Sequence, residues 1–502
     1  MNIRATTQHR ATRAIRRTGI MLATLGLAGC ASTGGLHTHA HITDSRTIRA
    51  SGSLKAVPLS AAAWPTHAWW TDFGDDQLNR LIDNALHGQP RLRMAEARVR
   101  AAEGMAGIAG APLYPQVHAR ASSERERFSE HGTVPPPMAG TWQTINSASL
   151  GVDYELDFWG GNRATMNAAL DRVHATQVDL QAARLMLGVA MVQTYLRLDS
   201  AYALRDLVRA TLAQRQKTLA LTRARVAAQV DSRVELTQAE AGLPAPRERL
   251  QAIGGTIALL RNQIAALEGK GPDAGLTLQR PHLAIRGPVR IPSNLPVDLI
   301  GRRPDVVAQR WRVEAARQDI KAARAKFYPD ISLNAFVGLQ RLGFSQFLSA
   351  GSRMLGVGPA ISLPLFEGGR LRGNLALHQA GYDAAVERYN ATVLAAVHDV
   401  VDQLTALAWI DRQQREQARA IELSQRARDL AAARYRKGLA NDLQVLAAEG
   451  QVLARKRRQI QLDAHRRELR VELIRALGGG YIPVAPTSRA DASLSQVNGA
   501  SP

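Results

Sequence analysis

Cysteine is almost absent: the chain of 502 residues has one, Cys30. No Cys/His metal cluster can be built around a single thiol. After the first thirty residues no run of about 20 uninterrupted apolar residues occurs, so no later segment reads as a transmembrane helix. A chain of this kind could cross a bilayer only as a closed β-barrel, because lipid tolerates no unpaired backbone polar groups. A Walker sequence and a nucleophile elbow are also missing. Asp72-Phe73-Gly74 copies a kinase triplet, but no Gly-rich loop or catalytic loop accompanies it. Neither an enzyme nor a cofactor is expected. Aromatics make up only 5% against 45% hydrophobic residues overall, and the chain is rich in Ala, Leu, Arg and Gln. That balance leans to helix.

The first thirty residues read as an export address. Arg4, Arg10, Arg13, Arg16 and Arg17 form a basic segment without an acid, and Gly19 to Leu27 forms a short apolar one. Leu27-Ala28-Gly29-Cys30 then matches the bacterial lipobox. It implies cleavage before Cys30 and acylation of that residue, with Ala31 favouring the outer membrane. The formal net charge of +21 would suggest nucleic acid in a cytoplasmic protein. An exported chain does not routinely meet nucleic acid. Here the basic residues lie at helical spacing among Ala, Gln and Glu, as in Ala454-Arg455-Lys456-Arg457-Arg458-Gln459, so a solvated helical face is expected and no nucleic-acid partner. His37, His39 and His41 alternate after the anchor and read as a polar tether, with metal binding as the other reading.

The remainder is written twice. Residues 90–115 align without gaps on 304–329, and nine of the 26 positions are identical. Phe158-Trp159-Gly160-Gly161 matches Phe366-Glu367-Gly368-Gly369, and Arg225 to Glu240 matches Arg434 to Glu449. Each half predicts one plan. A helix (Asp76 to about Ala111; Val297 to about Phe327) stops at a proline break. Two strands follow, at about 116–128 and 147–159, then about 331–340 and 355–366. A very long helix comes next (Asn162 to about Gln229; Arg370 to about Lys437), and a last helix closes the half (Ser232 to Glu268; Asn441 to Leu477). A 68-residue helical stretch would be about 100 Å long, which suggests coiled-coil packing.

The strand signal is a period of two. Leu150, Val152, Tyr154, Leu156 and Phe158 alternate with Gly151, Asp153, Glu155 and Asp157. The first strand is weaker and ends in Glu124-Arg125-Glu126-Arg127. One apolar and one polar face suit lipid outside and water inside; two soluble hairpins packed on the helices are the other reading. Four strands cannot close a membrane barrel, and an eight-stranded barrel is filled by its own side chains. A water-filled duct therefore needs at least three chains.

Several segments carry a family resemblance. They are Trp69-Trp70-Thr71-Asp72-Phe73-Gly74-Asp75-Asp76-Gln77-Leu78, the stretch from Ile291 to Val306, Leu365-Phe366-Glu367-Gly368-Gly369-Arg370, and Ala433-Arg434-Tyr435-Arg436-Lys437-Gly438. Together they resemble the TolC/OprM outer-membrane factor family, and within it the NodT-like lipoproteins, from about residue 60 to 483. The resemblance implies a mixed, mainly α fold: a duplicated half forming a trimeric α-barrel continuous with a 12-stranded transmembrane β-barrel. It divides the chain into a lipoprotein signal peptide (1–29), a lipid-anchored linker (30–62), a first repeat (63–269), an inter-repeat linker (270–296), a second repeat (297–482) and a polar tail expected to be disordered (483–502). It implies a homotrimer in outer-membrane lipid that meets a periplasmic adaptor and an inner-membrane transporter, and works as the exit duct of an efflux pump. A protein-secretion duct or a pore-less coiled-coil scaffold are the alternatives. The helix-helix breaks at 227–232 and 437–442 are expected at the periplasmic tip. Asp231, Tyr435, Arg436, Gly438 and Asp442 are the expected adaptor contacts or iris residues, and Cys30 the lipid attachment site. Relatives carry a Leu-Asp-Ala step just after the second turn. This chain has Leu446-Ala447-Ala448, so no carboxylate ring is expected at that level.

Overall fold

The computed structural model describes residues 34–44, 47–49, 52, 64–284 and 301–482. Cys30 with its lipobox, residues 291–300 of the second hallmark segment, and the polar tail lie outside the described residues.

Eight α-helices and four strands are described. Helices α1 (Asp76–Gly88) and α2 (Pro90–Gly110) stand where one helix was expected. Pro90 has no N–H to donate and pushes Gln89 to an extended conformation (φ −71°, ψ 120°), which ends α1. Strands β1 (Gln116–Arg127) and β2 (Trp142–Glu155) follow, then α3 (Gly161–Ala227). Strand β2 begins and ends earlier than its period suggested. Past Glu155, Leu156 still donates to the carbonyl of Ile331, but Phe158 folds back on Leu156 in a tight turn. The last helix of the first half is also two, α4 (Arg233–Ala241) and α5 (Pro244–Leu267), with Pro244 in the first turn of α5, where its missing N–H costs no bond, and Leu243 before it still in the helical region (φ −88°, ψ −37°). The second half repeats the order with α6 (Pro304–Ala325), β3 (Asp330–Leu342), β4 (Arg353–Ser362), α7 (Arg370–Arg436) and α8 (Asp442–Ala476). Helix α8 has no proline and is unbroken.

The chain forms two compact units. The first contains residues 99–176 and 309–389 and holds the sheet. All neighbours in it are antiparallel, in the order β1-β2-β3-β4. The duplication closes on itself in the middle: β2 of the first half pairs with β3 of the second from Ile145↔Leu342 to Glu155↔Ser332. Below the strands, the Trp159 ring stacks on Tyr328 at 4.6 Å and its Nε1 donates to the carbonyl of Pro329. The segment with His37, His39 and His41 is laid along α7 rather than hanging free: the backbone N–H groups of His39 and Ala40 donate to the Asp383 carboxylate at 3.0–3.2 Å.

The second unit contains residues 43–98, 177–308 and 390–502. Its core is built from heptad-like rows. Val397, Val400, Leu404 and Leu407 on α7 meet Leu462, Leu469, Leu473 and Ala476 on α8. Spacings of three and four place each set on one face. A second cluster gathers Trp69, Phe73, Leu78 and Ile82 against Val189, Val192 and Leu196 of α3 and Ile257 and Ile264 of α5. The first hallmark segment thus packs inward. Its Asp75 caps α1 by accepting from the backbone N–H of Gln77, and takes the buried Tyr195 hydroxyl proton donor at 2.7 Å. Burial, then that bond to Asp75, pushes the Tyr195 phenol above its ordinary pKa, so it stays a neutral donor. Helix α7 contains one window of mean hydropathy 1.4, as apolar as a membrane span, but 39% of it is buried against the chain itself.

Candidate functional site: a two-faced sheet and two helix turns

Register decides which side chains share a face, since residues directly opposite each other point the same way. One row reads Val117, Val152, Ala335, Val357, and the next Ala119, Leu150, Val337, Leu355. Leu333 and Tyr154 lie beside Pro359, and Ile331 beside Ile361. This apolar face is open: Val357 is 76% exposed and Leu355 77%. The other face carries His118, Arg120, Glu124, Glu126, Asp153, Glu155 and Asn334, with His118 Nδ1 3.2 Å from the Asp153 carboxylate. Glycine sits on this face where a neighbour leans over it: a Cβ on Gly151 would lie 2.5 Å from the His118 ring, and one on Gly356 2.6 Å from Phe336. Strands β1 and β4 each pair on one side only among the described residues. The proline within β4, Pro359, fits an outer strand of a single chain.

The two helix turns are built alike, as the repeat demands. In the first, Val230 N–H donates to the carbonyl of Arg225 and Gln229 N–H to Val226. In the second, Leu439 N–H donates to Arg434 and Gly438 N–H to Tyr435. Both are Schellman closures, with Gln229 (φ 55°) and Gly438 (φ 71°) at the left-handed position. Ser232 then caps α4 in a capping box with Glu235, and Asn441 caps α8 through the N–H of Gln444. Val230 and Leu439 follow the left-handed residues and are 61% and 66% exposed.

The expected tip residues occupy these turns unequally. Asp231 is held by a two-pronged ion pair, Arg225 Nε and Nη2 each donating at 2.8 Å. The hydrogen bond from Arg225 keeps the Asp231 carboxyl below its ordinary range, against a smaller opposing effect of desolvation. Its counterpart in the second turn is Ala440, so Arg434 has no equivalent acid there. Asp442 opens the first turn of α8, where a negative charge suits the helix dipole. Tyr435 is exposed, and Arg436 reaches the carbonyl of Ala432 at 3.4 Å. Arg225 was missed from sequence. Laying the halves over each other aligns it with Arg434 and Asp231 with Ala440, which singles out the acid but not its partner.

Two results follow. Gln229→Gly should stabilise the fold by about 0.5–1 kcal/mol and Gly438→Gln destabilise it by a similar amount, read from denaturation midpoints. The depressed Asp231 pKa places its contribution above the ordinary carboxylate range, lost only as pH falls through the lower folded value. Proteolytic cleavage within 228–232 should therefore stay slow at pH 5–7 in the wild type and become fast throughout that range in Asp231→Asn.

Comparison with known proteins joins these features. The chain matches the family described as Outer membrane efflux protein over residues 81–269 and 295–479. It is 39% identical over 378 residues to the fusaric acid resistance protein FusA of Burkholderia cepacia, covering 74% of this chain and 71% of that one. It is 31% identical over 433 residues to the multidrug resistance outer membrane protein MdtP of Escherichia coli strain K12, covering 85% and 88%. Its fold superposes on the outer membrane protein VceC of Vibrio cholerae with a TM-score of 0.77 at 36% identity, covering 83% of this chain and all of that one.

Proposed function

The chain belongs to the outer membrane efflux protein family, and from that premise we propose that it is the outer-membrane channel of a tripartite efflux pump, a passive exit duct for drugs or toxic small molecules. The observation that carries this is the two-faced sheet with an open edge on β1 and on β4. Bare edges cannot stand in hydrocarbon, and four strands cannot enclose water. Three copies joined edge to edge give twelve strands, with the Val357 and Leu355 rows turned to lipid and the His118 and Asp153 face turned to the lumen. Long helices α3 and α7, each 67 residues, supply the staves of a helical barrel reaching into the periplasm. Acylation at Cys30 adds the lipid anchor.

The paired turns form the tip that meets the adaptor and the inner-membrane transporter. Val230 and Leu439 give apolar contact, and Tyr435, Arg436 and Asp442 give polar contact, around the turn that Gly438 allows. The Arg225–Asp231 pair stiffens the first turn, so motion of the iris falls to the second. Energy comes from the transporter. Two relatives are named for resistance to fusaric acid and to multiple drugs, which favours small-molecule cargo over secreted protein.

The test uses the full-length wild type purified in mild detergent. A trimeric mass and single-channel conductance in planar bilayers are expected; a monomer without conductance would overturn the reading. Cys30→Ser should lose all incorporation of labelled palmitate while keeping the trimer.

A further inference from the structure

The run Glu124-Arg125-Glu126-Arg127 is sorted by the strand. Alternation sends Glu124 and Glu126 to the polar face, and Arg125 and Arg127 to the apolar one. Arg341 shares that second face, in one row with Asn146 and Ser123, and so does Arg353, opposite Leu339. All four arginines lie beyond the Val337 row, at the end of the sheet that carries loops 128–141 and 343–352. The face from Val117 to Ile361 has no acidic residue; the acids of the sheet, Asp153 and Glu155 among them, are all on the other side. Arg127 pairs with Glu130 at 2.7 Å. Among the described residues, Arg125, Arg341 and Arg353 have no carboxylate partner. Trp142, opposite Arg127 on the same face, is 61% exposed. Asn146, only 3% exposed, accepts at its Oδ1 from the Ser123 hydroxyl and leaves its Nδ2 without a partner among the described residues.

Arginine on the lipid side of a barrel is strongly destabilising at the midplane and close to neutral at the interface. Four arginines past an apolar band therefore mark headgroup depth, and an exposed tryptophan beside them fits the same level. Longer loops of outer-membrane barrels face outward, so this is the outer leaflet. Guanidinium groups bind phosphate two-pronged, which ammonium groups cannot do. We propose that Arg125, Arg341 and Arg353, with the Asn146 amide between them, bind the phosphate groups of a glycolipid headgroup in the outer leaflet. The proposal rests on the channel reading above. Several arginines per subunit favour a headgroup with two phosphate monoesters over a singly charged phosphodiester lipid.

The experiment titrates the purified full-length protein, in detergent, with bis-phosphorylated lipid A and counts bound lipid by native mass spectrometry. Arg125→Gln, Arg341→Gln and Arg353→Gln combined should weaken binding at least about tenfold. Glu124→Gln with Glu126→Gln, on the other face, should leave it unchanged. Dephosphorylated lipid A should bind wild type and triple variant alike, and phosphatidylglycerol should compete poorly. Equal retention of lipid A by the triple variant, or equal competition by phosphatidylglycerol, would overturn the proposal. The same spectra report the oligomer: a trimer with unchanged lipid binding sinks this inference alone, whereas a monomer sinks the channel reading.

Discussion

Arginine introduced together at Val337 and Val357 is expected to abolish assembly into the outer membrane. Both side chains are open on the apolar face, 56% and 76% exposed, and both lie within the apolar rows rather than beyond them. Each substitution costs roughly 2–4 kcal/mol at mid-bilayer depth, and a trimer carries three copies of each, so the total exceeds the stability of an ordinary domain. Arginine at Ser332 and Asn334 is the matched control. Those residues alternate with Leu333 and Ala335 on β3 and face the other way. A lumen filled with water should accept them, with normal insertion and an altered charge selectivity. Outer-membrane fractions, checked for heat-sensitive trimers, give the readout. If the two pairs of substitutions behave alike, the apolar face meets protein rather than lipid, and the sheet is a pair of soluble hairpins.

The same alternation explains how far the sequence could be read. Leu150, Val152 and Tyr154 announce β2 because they alternate with Gly151, Asp153 and Glu155, and a period of two is local. Strand β1 is faint because its apolar-face residues are Val117, Ala119 and Ala121, small and few, followed by Ser123 and two arginines. Helix breaks at Pro90 and Pro244 were overridden in the reading by uninterrupted helical periodicity on either side, although the missing N–H of proline is itself a local signal. Gly438 was legible as a turn because a left-handed backbone favours glycine; Gln229, in the matching turn, hid the same geometry behind an ordinary residue. The partner of Asp231 is only six residues away, but it is the turn between them that brings the two side chains together. The bonds of Arg303 to Asp399 and to the carbonyl of Ala476 leave no local trace, since those partners are 96 and 173 residues distant.

Arg303 immediately precedes α6, which begins at Pro304 and carries Asp305 in its first turn. It also makes four hydrogen bonds. Only 8% of its side chain is exposed. Its Nε and Nη2 donate to Asp305 at 3.0 and 2.7 Å, and its Nη1 donates to Asp399 on α7 and to the carbonyl of Ala476 at the end of α8, both at 3.0 Å. Arg475 reaches the other oxygen of Asp399 at 2.8 Å. Burial pulls the Arg303 pKa down, but the bonds and charges of Asp305 and Asp399 outweigh it and leave it raised. A raised basic pKa gives a contribution that is complete below the ordinary arginine range, so this network should hold unchanged from pH 5 to 9. Arg303→Met should destabilise the fold by about 1–3 kcal/mol, because it leaves a buried carbonyl without its donor and takes one cation from the partly buried Asp399 carboxylate. Asp399→Leu should act similarly, leaving two guanidinium groups facing each other. The double variant should lose less than the sum, since neither change then strands a charge on the other. Arg303→Lys separates charge from geometry: it keeps the cation but not the fork, and should fall between wild type and Arg303→Met. Unfolding midpoints of the four proteins decide it. Strict additivity of the two single changes would mean that Arg303 and Asp399 act independently.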